Sequence, residues 1–576
     1  MDKKRLMELK NVDIFKTSRM IQEKIPREVH EEEIFKYIVG FAVCAYWFGE
    51  APGAKAIFLK KVQDLFTGET NQFLSKLIMG YFDTIEFIFK SSTPTKLLAT
   101  ALFLSPYRFR RHEIYGTPDG ITRLALALLD IHDEDIVLDL GSGTGSFILE
   151  AGFESKEHQL FGVDDDNEMI IVANIRAALT DVPVKIIKGD ILKQSFKVLR
   201  ANKIFSNFPF ALKLPDLDSI QFEQLRQYFS NAKRNISTDW LFATAAKLNL
   251  VNTESNYRSK AVVLMSNGGT WNEFDRKIRS EFVAKRWIEA VISLPERLLP
   301  ANNKPVTMMV FSEGNESVRM IDATEFCTNR RRSNSLEDSD IQQILACYHG
   351  TSDKSRLVSS NEIAEQDFIL NPIRYIQTND IKNARTLGQI SRSINRGIVI
   401  PASTLNEITS NEPTKYQHLL LQNVHDGWID DNLAFLKELD HHVERACVQD
   451  GNLLISKISP FKITLVHIPE NRKVVASGNM YFLDIDEAKM NPMYVMLYLQ
   501  SERGRKELSL FAKGVVMQSI SLRDLGNVRI LDIPRSEQDM LAAQYQELSS
   551  KLQNITRQEE VIKAQIANLL NAKDTQ

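Results

Sequence analysis

Cysteine is scarce in this chain. Among 576 residues there are four, Cys44, Cys327, Cys347 and Cys447. None has C-x-x-C spacing or sits beside paired histidines, so neither a disulfide framework nor a zinc site is expected. A reducing, cytoplasmic setting follows. Long apolar runs are lacking too: none reaches the roughly 20 residues of a membrane-spanning helix, and Met1-Asp2-Lys3-Lys4 opens no charged-then-apolar leader. Neither membrane insertion nor secretion is expected. Charge of one sign is missing as well, with 71 Lys and Arg against 74 Asp and Glu and a net charge of -3. No global field draws the chain to a polyanion, and any such surface must be local. Arg108, Arg110, Arg111 and His112 form one candidate cluster and Arg330-Arg331-Arg332 another; each serves equally well as a solvated face. Internal repeats and low-complexity tracts are absent. So is an Asp followed by Glu-x-Lys on a strand before Phe109, the carboxylate pattern of a metal-dependent nuclease.

What is present is the balance of an ordinary globular protein, 43% hydrophobic and 25% charged, long enough for roughly two to four domains. Apolar residues up to about Pro106 recur at helical spacing, as in Ile34-Phe35-Ile38-Val39-Phe41-Ala42, and predict a helical domain over 1–110. From 111 to 330 the pattern changes to short apolar runs separated by helices. Ile136-Val137-Leu138, Leu160 to Val163, Val184 to Ile187, Lys203 to Phe205, Ala261 to Met265, Ala290 to Ile292 and Met308 to Phe311 predict an α/β, Rossmann-like doubly wound sheet. Residues 331–380 read as a polar connector with a helix at Asp338 to Cys347, and 381–535 as a smaller α/β or mainly β domain. Over 536–576, Leu541, Tyr545, Leu548, Leu552, Ile555, Ile562, Ile566 and Leu569 follow 4-3 spacing interrupted only by Glu559, which predicts one long amphipathic helix.

Chemistry concentrates in two places. Asp139-Leu140-Gly141-Ser142-Gly143-Thr144-Gly145 follows an apolar run; a strand feeding a glycine-rich turn and a helix makes a cofactor crevice at a sheet's carboxyl edge. Alone, that motif suits a dinucleotide, a methyl donor or a structural turn. Asp164 ends the next run, where it can accept from ribose hydroxyls, and Asp190 follows the third, where it can meet adenine; either can instead cap a helix. Asp164-Asp165-Asp166 lacks partner ligands at metal-binding spacing, so no metal is expected. About seventy residues beyond Asp139, the fourth run ends at Asn207-Phe208-Pro209-Phe210. The Asn207 amide oxygen and the Phe208 carbonyl can accept both hydrogens of a planar exocyclic amine, Pro209 stiffens the loop, and Phe210 offers a stacking face. A strand-ending turn uses the same residue types.

In this order the motifs resemble the adenine-N6 DNA methyltransferases, most closely the modification subunit of type I restriction-modification systems. Tyr115-Gly116-Thr117-Pro118 resembles that family's aromatic-x-Thr-Pro motif, which packs on the cofactor. Thr238-Asp239-Trp240-Leu241-Phe242, Ser266-Asn267-Gly268-Gly269, Lys277-Ile278-Arg279 and Val291-Ile292-Ser293-Leu294-Pro295 follow in the family's order. The resemblance implies S-adenosyl-L-methionine as cofactor and adenine N6 of a base flipped out of double-stranded DNA as acceptor. It places Tyr115, Thr117, Pro118, Asp139, Gly141, Ser142, Gly143, Thr144, Gly145, Asp164, Asp190 and Asn207 at the cofactor, and Asn207, Phe208, Pro209 and Phe210 at the reacting amine. Two departures stand out. Phe208 replaces the first proline of the usual N-P-P-F, and Gly116 stands where an aromatic is frequent.

The second half resembles one target-recognition domain of a type I specificity subunit, through Thr386-Leu387-Gly388-Gln389-Ile390, Gly427-Trp428-Ile429-Asp430, Gly451 to Lys457, Ala476 to Phe482 and Gln518-Ser519-Ile520. Its exit into the heptad helix resembles that family's spacer. This implies a chain that fuses modification with sequence reading, pairs with a second copy through the helix, and leaves any nuclease to a separate subunit. Two other readings stay open: a methyltransferase-fold DNA binder weakened by Phe208, and a methyltransferase acting on RNA or on protein glutamine.

Overall fold

The amino-terminal apolar periodicity winds into helices in the structure. This computed structural model describes residues 3–50, 55–106, 116–154, 159–180, 183–209, 220–229, 237–252, 259–299, 305–329, 333–376, 383–437, 439, 441–512 and 518–571. They form two compact units, Met1–Ile376 and Gln377–Gln576. The first opens with α1 (Lys3–Lys10), α2 (Phe15–Gln22), α3 (Ile34–Phe48), α4 (Lys55–Leu65), α5 (Gly68–Ser91) and α6 (Pro94–Phe103), and its further helices include α7 (Asp119–Leu129), α8 (Ser146–Glu154), α9 (Asn167–Thr180), α10 (Glu223–Phe229), α11 (Thr238–Asn249), α12 (Arg276–Ala284) and α13 (Asp338–His349). Helix α3 is apolar almost all round and is therefore the buried one, with Phe35, Ile38, Val39, Phe41 and Ala42 at most 1% exposed. At the start of α6, the Thr93 hydroxyl accepts from the Lys96 backbone N–H and Pro94 takes the first helical position, where a missing N–H costs nothing.

This helical core does not stop at the sheet. Ile171, Val172, Ile175 and Leu179 of α9 (Asn167–Thr180) belong to the same apolar cluster as α3 and α6. Polar ties reinforce the contact: Lys36 Nζ lies 2.7 Å from Glu168, and Lys10 Nζ 2.9 Å from Glu150. The amino-terminal helices therefore share a core with the α/β region.

The α/β region carries β1 (Ile136–Leu140), β2 (Gln159–Asp164), β3 (Val184–Lys188), β4 (Lys203–Asn207), β5 (Lys260–Ser266), β6 (Ile288–Ser293), β7 (Val306–Phe311) and β8 (Ser317–Asp322). Strand order across the sheet is β3-β2-β1-β4-β5-β7-β6-β8, closed by the edge strand Ser355–Ser359. Strands β3 through β5 run parallel, and β7 is inserted antiparallel between β5 and β6. Chain order reverses between β1 and β4, which opens a crevice at their carboxyl ends.

The stretch 331–380, expected to be a connector with a helix at Asp338 to Cys347, holds that helix as α13 (Asp338–His349) and also supplies the edge strand Ser355–Ser359, and the first unit runs on to Ile376. An edge strand is wetted along one side, and only Ser355 and Val358 of Ser355-Arg356-Leu357-Val358-Ser359 are buried. That leaves too little apolar signal to read in sequence.

The second unit holds a four-stranded antiparallel sheet in the order Ser391–Arg396, Met480–Ile485, Leu453–Ser456, Ile463–Leu465. Beside it is a five-stranded sheet with one parallel pair, Tyr416–Leu419 with Lys473–Ala476. Leu453, Ile455 and Leu483 of the first sheet pack with Tyr494, Val495 and Leu499 of the helix Pro492–Gln500. The Thr386-to-Gln389 motif is a capping box, in which Thr386 accepts from the Gln389 N–H and Gln389 from the Thr386 N–H. The chain continues into the helix Arg535–Asn571. Among the described residues no helix is long and apolar enough to cross a membrane.

Candidate active site

The glycine-rich turn leaves β1 with Gly141, Gly143 and Gly145 at φ of +75°, +51° and +80°, a region that L side chains avoid. Gly141 and Ser142 both donate backbone N–H bonds to the Val163 carbonyl at 2.9 Å. Gly143 N–H donates to Asp164 Oδ2 at 2.7 Å, and Asp166 N–H to Oδ1 at 2.9 Å. Asp164 thus holds the turn against the end of β2.

Asp139 is buried at the penultimate position of β1, in register with Gly162 and Phe205. Burial, and then the neighbouring Asp164 carboxylate, push Asp139 well above the ordinary carboxylate range, against an N–H bond from Ile148. Burial raises Asp164 as well, against the N–H donors of Asp166 and Gly143. A buried carboxyl with a half-buried carboxylate beside it suits a cationic group. The turn has other unmet needs: Ser142 Oγ and Thr144 Oγ1 are buried with no hydrogen-bond partner among the described residues, and a Cβ at Gly143 would meet open space. A ligand with an ammonium group, a carboxylate and a ribose diol fits these groups.

Asp190 sits differently. Its Oδ1 accepts from the Leu192 N–H at 2.8 Å and its Oδ2 lies 2.9 Å from Lys193 Nζ, so it caps its own turn and pairs with a neighbouring cation.

One strand over, Asn207 ends β4 beside Leu264 of β5. Its Nδ2 donates to Thr117 Oγ1 at 3.0 Å. That bond uses the amide nitrogen and leaves Oδ1 as the group available to accept. Pro118 precedes α7 (Asp119–Leu129), its carbonyl taking the Thr122 N–H at 3.0 Å. The Phe208 ring turns inward, stacked on Phe242 of α11 (Thr238–Asn249) with centroids 4.0 Å apart and an 18° interplanar angle. Its Cε1 also lies 3.3 Å from where a Gly141 Cβ would be. The Phe208 backbone carbonyl accepts no hydrogen bond from the described residues. Pro209 is exposed. The structure therefore brings Thr117, Asn207 and Phe208 against the glycine turn, Asp139 and Asp164. Tyr115, Phe210, Arg108, Arg110, Arg111, His112 and Arg330-Arg331-Arg332 lie outside the described residues.

Residues 110–384 match the family model described as N-6 DNA methylase. This stretch is similar to the N-6 DNA methylases. Over 302 residues the chain is 28% identical to the type I restriction enzyme MjaVII methylase subunit of Methanocaldococcus jannaschii, covering 48% of this chain and 51% of that protein. Over 327 residues it is 24% identical to the MjaVIII methylase subunit of the same organism, covering 52% and 55%. The chain thus spans about half the length of the curated relatives it matches. A type I restriction-modification system methyltransferase subunit from Streptococcus thermophilus superposes with a TM-score of 0.51 at 15% identity, over 65% of this chain and all of that one. This likeness is one of fold.

The structure joins two of the quoted motifs through Asp239 and Ser266, and adds Asp275 and Arg176, which the motifs do not contain. Asp239 of α11 accepts from the Ser266 backbone N–H at 3.0 Å and from its hydroxyl, pinning the end of β5; burial raises its carboxyl, against both Ser266 donors. The buried Asp275 accepts from the Ser237 N–H and hydroxyl, at 2.8 and 2.6 Å. Arg176 sits under the glycine turn. Its signal was in the sequence, as a cation on an otherwise apolar face of α9.

Proposed function

We propose that this chain transfers a methyl group from S-adenosyl-L-methionine to adenine N6 in double-stranded DNA, as the modification component of a restriction-modification system. The observation that carries the proposal is the Asn207 side chain at the carboxyl end of β4, whose amide nitrogen donates to Thr117 and leaves Oδ1 to accept. S-Adenosylmethionine, bound there, supplies a methyl group on a sulfonium, so no covalent intermediate with the protein is required. The Asp139 carboxylate would hold its ammonium group and Asp164 its ribose hydroxyls. Asn207 Oδ1 and the Phe208 carbonyl would accept both hydrogens of the target amine and turn its lone pair toward the methyl group. Neither is a base, so the proton released from nitrogen passes to water. An adenine inside a duplex cannot reach Asn207 and must be flipped out, at about a few kcal/mol.

The same reading assigns the unit from Gln377 to target recognition and the helix Arg535–Asn571 to pairing with a second copy. Leu548, Leu552, Ile555, Ile562 and Ile566 are each more than half exposed, on a heptad seam that an identical helix would bury knob into hole. Cleavage then belongs to a separate subunit. The weakened-binder reading rested on Phe208 filling the pocket, and the inward stack on Phe242 argues against it.

The deciding experiment is modified-base sequencing of genomic DNA from cells expressing the chain or its Asn207→Ala variant. N6-methyladenine at one defined motif, lost in the variant, is the expected result. Unmodified DNA with purified, folded protein that binds S-adenosylmethionine would sink the proposal.

A further inference from the structure

Arg176 is 3% exposed, on α9. Its guanidinium is satisfied by three backbone carbonyls: Nε donates to Ala101 at 3.1 Å, Nη1 to Thr144 at 3.2 Å, and Nη2 to Leu104. The Phe35 ring centroid lies 5.6 Å away. No ion pair of Arg176 with an acidic side chain is present among the described residues, and burial lowers its pKa to about 10. Ala101 lies in the last turn of α6 and Leu104 follows that helix as its C-cap, whereas Thr144 is part of the glycine-rich turn. An apolar side chain at this position would avoid the desolvation of a full charge. A planar fork of donors does what no apolar side chain can, fixing three carbonyls from two distant chain segments in one plane.

We propose that Arg176 is a positioning residue for the cofactor: it locks the Thr144 peptide to the end of α6, and so fixes how the N–H groups and hydroxyls of the glycine turn are presented. This inference rests on the assignment of that turn to S-adenosylmethionine.

The test uses the full-length chain, with Arg176→Lys and Arg176→Met variants and Ile175→Ala as a control that trims the same buried helix without touching the turn. S-Adenosylmethionine binding is measured by equilibrium dialysis, methyl transfer at saturating cofactor, and folding by thermal denaturation. Expected is a Kd raised about tenfold or more in Arg176→Met, less in Arg176→Lys, with kcat changed by less than about threefold. Ile175→Ala should lower Tm yet keep the Kd within about twofold of wild type. If Arg176→Met does not fold, Arg176→Lys decides, with a Kd about three- to tenfold weaker expected. A Kd within twofold of wild type in the folded variants, or an equal loss in Ile175→Ala, overturns the proposal. Failure of the wild type to bind S-adenosylmethionine would instead overturn the cofactor assignment itself.

Discussion

Asn207 donates through Nδ2 to Thr117 Oγ1 at 3.0 Å, so a hydroxyl ninety residues earlier in the chain leaves the oxygen end of the amide to accept. Thr117→Val keeps the shape and removes the acceptor. We expect kcat to fall about 10- to 100-fold, since general loss of orientation at a reacting amine has that scale, with the Kd for S-adenosylmethionine nearly unchanged; equal activity of the two proteins would show that Thr117 does not orient Asn207. Asp139 invites a different measurement. Its folded pKa lies above the unfolded value of 3.8, so between those values the folded state holds the extra proton. Stability therefore falls as pH rises from about 4 through the folded pKa. Asp139→Asn removes that penalty. Its melts should exceed those of wild type by about 1–3 kcal/mol near neutrality, with the difference vanishing toward pH 4, while cofactor binding is lost. Wild-type cofactor affinity should rise with pH over the same window, because the ammonium group needs the carboxylate.

At the scale of elements, the end of β4 is held by what packs behind it. The Phe208–Phe242 stack seats the catalytic loop against α11, and Phe208 also touches the glycine turn. Phe242→Ala should cost about 3–5 kcal/mol through the cavity it leaves and lower methyl transfer more than cofactor binding. A double-mutant cycle with Phe208→Ala should return a coupling of about 0.5–1.5 kcal/mol; strict additivity would mean that the rings do not support each other. This role was not legible in the sequence. There, Phe208 looked like a departure from the proline motif that could crowd the pocket. Phe208 follows the end of β4, and the ring that receives it comes from a helix that only folding brings near. The edge strand Ser355–Ser359 escaped notice for a related reason, since a strand buried at two positions carries almost no periodic signal.

At the scale of the whole molecule, the chain divides into two units, and the second ends in a helix whose seam residues from Leu548 to Ile566 are exposed. Light scattering on the full-length protein should give a dimer, and Leu548→Glu with Leu552→Glu a monomer that still binds S-adenosylmethionine; a wild-type monomer at tens of micromolar would remove the helix as a contact surface. The sequence by itself determined the helical opening, the alternation that makes a doubly wound sheet, the glycine turn and the heptad seam, because each is a local pattern whose period or backbone demand is written in neighbouring residues. Only the tertiary structure decided that the opening helices share a core with α9, that the stretch after 331 completes the sheet, and that Thr117, Phe242 and Arg176 support the site. Those are contacts between residues far apart in the chain, and their partners are set by packing and buried hydrogen bonds that no local pattern encodes.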